Sequence, residues 1–116
     1  MRHLKEGKKF GRKKGQRKAF LQGLAVNLIK HGKMTTTETR AKETRRFVER
    51  LITHGKKQNI GAMRLLLSKL PKQTVYKIYH EIAPRYKDRK GGYTRIIKHT
   101  ERRVGDGSKK ATIEFV

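Results

Sequence analysis

Of the side chains that most often carry covalent or acid–base chemistry, the chain has five histidines, two serines and two aspartates, with no cysteine. Ser68 and Ser108 stand in no Gly-x-Ser-x-Gly turn of the kind that exposes a nucleophile. His3, His31, His54, His80 and His99 lie far apart and show no metal-ligand spacing. His80-Glu81 opens like a His-Glu-x-x-His zinc motif, but Pro84 occupies the place of the second histidine, and His80 reads as a solvated helix residue. Gly105-Asp106-Gly107 begins like a phosphate-binding glycine loop. It joins two predicted strands instead of opening a helix, and Lys110 stands where a third glycine would. Asp88 and Asp106, the acids an RNA-modifying enzyme would need, fall in opposite loops. The sequence therefore gives catalysis no centre, no metal and no cofactor. Without cysteine there is no disulfide and no thiolate, a usage compatible with a reducing cytosol.

Binding chemistry is plentiful. Thirty-two Lys and Arg face nine Asp and Glu, a formal net charge of +23 on 116 residues. Self-repulsion of that size destabilises a compact chain and points to a polyanionic partner. Each phosphate neutralised by a cation releases condensed counterions, so affinity for nucleic acid is strong and salt-dependent. The cations concentrate in three places. The first is residues 1–18, with nine Lys or Arg and one acid; Lys9, Lys13, Lys14, Arg17 and Lys18 belong to it. The second is the polar face of a predicted helix carrying Arg40, Lys42, Arg45, Arg46 and Arg50. The third is residues 85–103, with Arg89, Lys90, Arg95, Lys98, Arg102 and Arg103 among eight cations against Asp88 and Glu101. Phe10, set among Lys8, Lys9 and Arg12, has no apolar neighbour in sequence and is expected to anchor in folded RNA. Tyr86 and Tyr93 can stack on unpaired bases or pack on the core, and both readings stay open.

The elements that must position these residues follow from periodicity. Phe20, Leu21, Leu24, Ala25, Leu28 and Ile29 lie on one face of a helix that starts near Gln16 and ends at Gly32. Lys33 to Thr37 reads as a short strand whose threonines offer a cap to the next helix. Ala41, Thr44, Val48, Leu51 and Ile52 mark that second helix, ending near Gly55. Ile60 to Leu70 forms a third helix stopped by Pro71. Val75, Ile78, Tyr79 and Ile82 form a fourth, which Pro84 closes. "YTRIIKHT" and "ATIEFV" read as strands joined by a loop around Gly105-Asp106-Gly107. The expected class is α+β, a two-layer α/β arrangement of about four helices on a small three-stranded mixed sheet. Residues 1–15 form a basic arm, extended or disordered until neutralised, and residues 16–116 a single globular domain. No apolar run approaches the ~18 residues of a membrane span, and the start reads as mature from Met1.

"MRH" at the start, "TTTETRAKETRRFVERLITHGK" from Thr35 to Lys56, "GGYTRI" from Gly91 to Ile96 and the closing "IEFV" resemble the bacterial large-subunit ribosomal protein seventeen family. The likeness runs over the whole chain in the family's order. Met34 departs from the family's usual isoleucine, and "RKKG" at Arg12 to Gly15 lacks its polar cap before the first helix. The resemblance implies a cytosolic ribosome component, not an enzyme, that binds large-subunit ribosomal RNA. It implies a place near the peptide exit tunnel beside ribosomal proteins twenty-two and thirty-two, and no membrane or small-molecule substrate. It assigns RNA contact to Arg2, His3, Lys5, Lys8 and Arg12 in the arm, and to Arg40, Lys42, Arg45 and Arg46 on the helix. Gly91, Gly92, Tyr93, Thr94 and Arg95 follow in the glycine segment. There Gly91 and Gly92 are expected both to turn the chain and to let RNA approach the backbone. The reading from another class is a nucleoid-type protein that coats duplex DNA without a preferred site.

Overall fold

The computed structural model of the chain describes residues 8–116. Helix α1 spans Lys14–His31, strand β1 Lys33–Thr37 and helix α2 Glu38–Gly55. Helix α3 spans Ile60–Leu67, and α4 covers residues 72–85, including a π turn at Ile78–Ile82. Strands β2, Thr94–Arg102, and β3, Lys109–Phe115, complete the chain. The sheet order is β1-β3-β2.

The sheet is antiparallel throughout, not mixed. The helical crossover leaves β1 and β2 running the same way, as parallel crossovers do. Strand β3 returns between them, however, so no parallel pair is hydrogen-bonded. Met34 pairs with Ile113 on one side, and Ile96 pairs with Ile113 on the other. A bulge in β2 sets residues 99–101 against Lys110 alone, between the Lys98–Ala111 and Arg102–Lys109 pairs.

The α2 stripe of Ala41, Thr44, Val48, Leu51 and Ile52 is buried as its spacing predicts. It joins Ala111 and Ile113 of β3 in one core with Leu28 and Ile29 of α1 and Val75, Ile78 and Ile82 of α4. Thr44 enters this core without penalty because its hydroxyl donates to the Arg40 carbonyl at 2.7 Å. Thr37 caps α2, accepting from the Arg40 N–H at 3.3 Å. Gly32 ends α1 at φ +80°, a left-handed cap that glycine adopts without strain.

Three local expectations are corrected, while α2 ends at Gly55 as expected. Gly55 also has a packing role. It is buried where a Cβ would lie 3.1 Å from Ala83 Cβ and 3.2 Å from Ile78 Cγ2, so it lets α2 approach α4. Pro84 does not close α4, because the π turn before it shifts the backbone register: the Ala83 N–H bonds to the Ile78 carbonyl, and one more turn follows. The third helix ends at Leu67, three residues early, with Ser68 as its cap residue. Residues 9–12 are not extended but form a tight turn, with Phe10 and Gly11 at positive φ and the Arg12 N–H bonded to the Lys9 carbonyl at 3.1 Å.

Candidate nucleic-acid interface

Helix α1 begins at Lys14, two residues before the expected start. In place of a polar cap, the Gln16 side chain accepts from the Lys13 N–H at 3.3 Å, half of a capping box. Lys8, Lys9, Lys13, Lys14 and Lys18 are exposed, and Arg17 is half-buried. Arg2, His3 and Lys5 lie outside the described residues. Phe10 finds the apolar partner that its sequence neighbours lack. Its ring lies 5.1 Å from that of Phe20, and the Arg12 guanidinium sits 3.9 Å over the other ring. Arg40 of α2 reaches the same ring at 5.0 Å, so Phe20 ties the end of the arm to α1 and α2. Phe10 is thus half-buried against Phe20.

On α2, Lys42, Arg45, Arg46 and Arg50 are exposed. The acids on the same helix partly occupy them: Lys42 lies 2.9 Å from Glu38, Arg45 3.6 Å from Glu49, and Arg46 4.0 Å from Glu43. Exposed pairs of this kind contribute little, because solvent screens them, so a phosphate can replace the acid at little loss. Lys98 of β2 reaches the same Glu38 carboxylate at 3.5 Å. Its hydrogen bond with Lys42 first, and the charges of Lys42 and Lys98 after it, hold Glu38 below its ordinary pKa. The helix patch and the strand patch, over fifty residues apart in sequence, therefore meet at one carboxylate. Phe10, Glu38, Arg40, Lys42 and Lys109 line a cleft of about 490 Å³ beside it, which brings the end of the arm to the same surface.

Along the hairpin, Arg95 pairs with Glu114 at 2.6 Å, and Arg102 donates to the Gly107 carbonyl at 3.2 Å. Arg103 forks onto Asp106, and the Ser108 N–H donates to the same carboxylate at 3.1 Å. The arginine and then the N–H hold the Asp106 carboxyl far below the ordinary carboxylate range.

The glycine segment is held from α2. Lys56 donates to the Arg89 carbonyl and, at 2.9 Å, to the Tyr93 hydroxyl. Arg89 in turn donates to the Gly91 and Gly92 carbonyls at 3.2 Å each. Gly92 has φ +62°, and a Cβ on either glycine would meet nothing within 4 Å. Across from them, Arg46, Glu49, Arg50 and Thr53 complete a shallow groove of about 280 Å³. Lys90 and Arg95 are exposed nearby in sequence.

Two residues of this segment do not face outward as expected. Tyr93 is 2% exposed, its ring 5.3 Å from that of Tyr86, whose own hydroxyl donates to the Val116 carbonyl at 2.8 Å. Neither ring offers a face for a base, because the thin core needs both. Thr94 is 3% exposed and is committed to Glu49. Arg50, already on the cationic face of α2 by sequence, follows Arg46 by four residues, which places it beside the groove. Lys56 is not evident from the sequence patches, since its partners lie more than thirty residues away.

Among the described residues no three His, Asp or Glu side chains gather as metal ligands, and no helix is long and apolar enough to cross a membrane. Residues 20–116 match the family model described as ribosomal protein L17. Three similar proteins bear the name large ribosomal subunit protein bL17. That of Sulfurihydrogenibium sp. is 51% identical over all of this chain and 97% of its own length. That of Thermus thermophilus is 48% identical over all of this chain and 99% of its own. That of Bdellovibrio bacteriovorus is 53% identical over 98% of this chain, which spans 63% of that longer relative. The arrangement of arm, cationic helix and glycine segment thus comes with sequence identity along almost the whole chain, and the chain belongs to the ribosomal protein L17 family.

Proposed function

We propose that this chain, a structural protein of the large ribosomal subunit and not an enzyme, holds large-subunit ribosomal RNA through one continuous cationic surface. The observation that carries the reading is the shared Glu38, where Lys42 of α2 and Lys98 of β2 converge beside the end of the arm. Nine acids cannot satisfy thirty-two cations, and RNA phosphates supply the missing charge. The arm lies between RNA helices, and the globular part fixes where it enters. Contacts to phosphate position the protein, and its charge offsets RNA–RNA repulsion during assembly. The family resemblance further suggests a place near the peptide exit tunnel, beside ribosomal proteins twenty-two and thirty-two, in the cytoplasm.

Sedimentation of a tagged copy in a bacterial lysate tests this. Co-migration with the large subunit at moderate and at high salt is the expected result. Release to the top of the gradient at high salt, or migration with DNA, would replace it with the nucleoid-type reading.

A further inference from the structure

We propose that the groove between α2 and the glycine segment seats a backbone phosphate of the bound RNA, with Arg50 as its cation and the Gly91–Gly92 backbone as its floor. The proposal rests on the RNA-binding reading and adds a specific point of contact to it.

Four observations converge on the groove. Arg50 is exposed on its wall and, unlike Lys42, Arg45 and Arg46, has no acidic partner among the described residues. The one acid in the groove, Glu49, is already engaged: Thr94 N–H donates to Oε2 at 3.1 Å, and Arg45 lies 3.6 Å from Oε1. It therefore repels an incoming anion far less than a free carboxylate would. Gly91 and Gly92 are exposed, and the space where their Cβ atoms would stand is open. Finally, Arg89 engages the Gly91 carbonyl. In a trans peptide the next N–H points the opposite way, and that Gly92 N–H has no acceptor among the described residues. An unpartnered backbone donor, a glycine surface and an unpaired arginine are the parts of an anion site. A backbone phosphate fits their chemistry, since its oxygens accept both from a guanidinium fork and from a peptide N–H.

Lys56 and Glu49 are positioning residues in this scheme. Lys56 fixes the segment at the Arg89 carbonyl and the Tyr93 hydroxyl, and Glu49 fixes it at Thr94. The two ends are pinned to α2 about two helical turns apart, which holds the groove at a set width.

The test uses the full chain and deproteinised large-subunit RNA in filter binding over a salt series, with excess duplex DNA as competitor. Three variants are compared: Arg50→Ala, Gly91→Ala, and Arg64→Ala, an exposed α3 cation that removes the same charge away from the groove. Gly91 lies outside the positive-φ region, so alanine is accommodated and the melting temperature holds. Arg50→Ala is expected to weaken RNA binding roughly tenfold and to lower the log–log salt slope by about 0.7–0.9. Gly91→Ala is expected to weaken binding at unchanged stability, and Arg64→Ala to leave the slope unaltered. If the wild type binds RNA selectively while Arg50→Ala and Gly91→Ala behave like Arg64→Ala, the groove is not the site and the RNA reading stands. If the wild type itself is displaced by duplex DNA, the RNA reading falls and the groove proposal falls with it.

Discussion

The Glu49 carboxylate of α2 accepts hydrogen bonds from Thr94 at the start of β2, from the backbone N–H at 3.1 Å and from the hydroxyl at 3.4 Å. Forty-five residues separate the two in sequence. The contact fixes where the sheet's edge strand begins relative to the cationic helix. Glu49→Ala leaves a buried N–H without an acceptor, at a cost of about 1–3 kcal/mol. Thermal unfolding should show a drop of roughly 4–12 °C. Glu49→Gln keeps an acceptor oxygen without the charge and should fall between the wild type and the alanine variant. Equal losses for both variants would mean that the charge and not the hydrogen bond matters.

Gly55→Ala tests the approach of α2 to α4. Alanine raises helix propensity by up to ~1 kcal/mol. The added methyl, however, meets Ala83 Cβ at 3.1 Å and Ile78 Cγ2 at 3.2 Å. Ala83 Cβ moves only with its backbone, and the Ile78 methyl is stiff at χ1, so overpacking of about 1–3 kcal/mol should exceed the gain. The expected outcome is a net loss near ~1 kcal/mol in chemical denaturation. A more stable variant would show that the π turn yields easily.

The Arg103–Asp106 pair predicts an acid response of the hairpin loop. Because the folded pKa of Asp106 is depressed, its contribution is present above the ordinary aspartate value of about 3.9 and is lost as pH falls toward the folded value. An NMR titration of the Asp106 carboxyl should therefore show it still ionised at about pH 3. The Ser108 amide resonance should move with that same titration, since its N–H donates to the carboxylate. A midpoint near the ordinary value of about 3.9 would mean that the pair is open in solution.

Replacing Lys8, Lys9, Lys13 and Lys14 together with alanine tests the arm. Every phosphate that the arm no longer neutralises should reduce the salt slope of RNA binding by about 0.7–0.9, for a total of roughly three. An unchanged slope would assign the phosphates to the globular surface alone. Because all four lysines are exposed, the melting temperature should stay close to that of the wild type.

The periodicity of α2 was legible because one stripe of five residues carries it, and the structure buries all five. The cap at Thr37 and the terminator at Gly32 were equally local and equally readable. The packing role of Gly55 and the continuation of α4 past Pro84 were not. Helix α2 ends at Gly55 as read, but its fit against Ala83 and Ile78 depends on neighbours distant in sequence, and a π turn overrides the stop signal of Pro84. The surroundings of Phe10 and Tyr93 were hidden for a related reason. A lone aromatic among cations looks like a ligand anchor until the partner ring, Phe20 or Tyr86, is seen against it.

By itself the sequence pointed to a polyanionic partner, because net charge and the poverty of reactive side chains are additive properties that need no coordinates. It also determined most elements, since hydrophobic period and cap chemistry act over a few residues. Only the tertiary structure decided which cations share a surface, that Glu38 joins two of the patches, and that Glu49 and Lys56 hold the glycine segment. Those relations depend on hydrogen bonds and charge interactions that fall off within a few ångströms, between residues the chain separates by thirty or more.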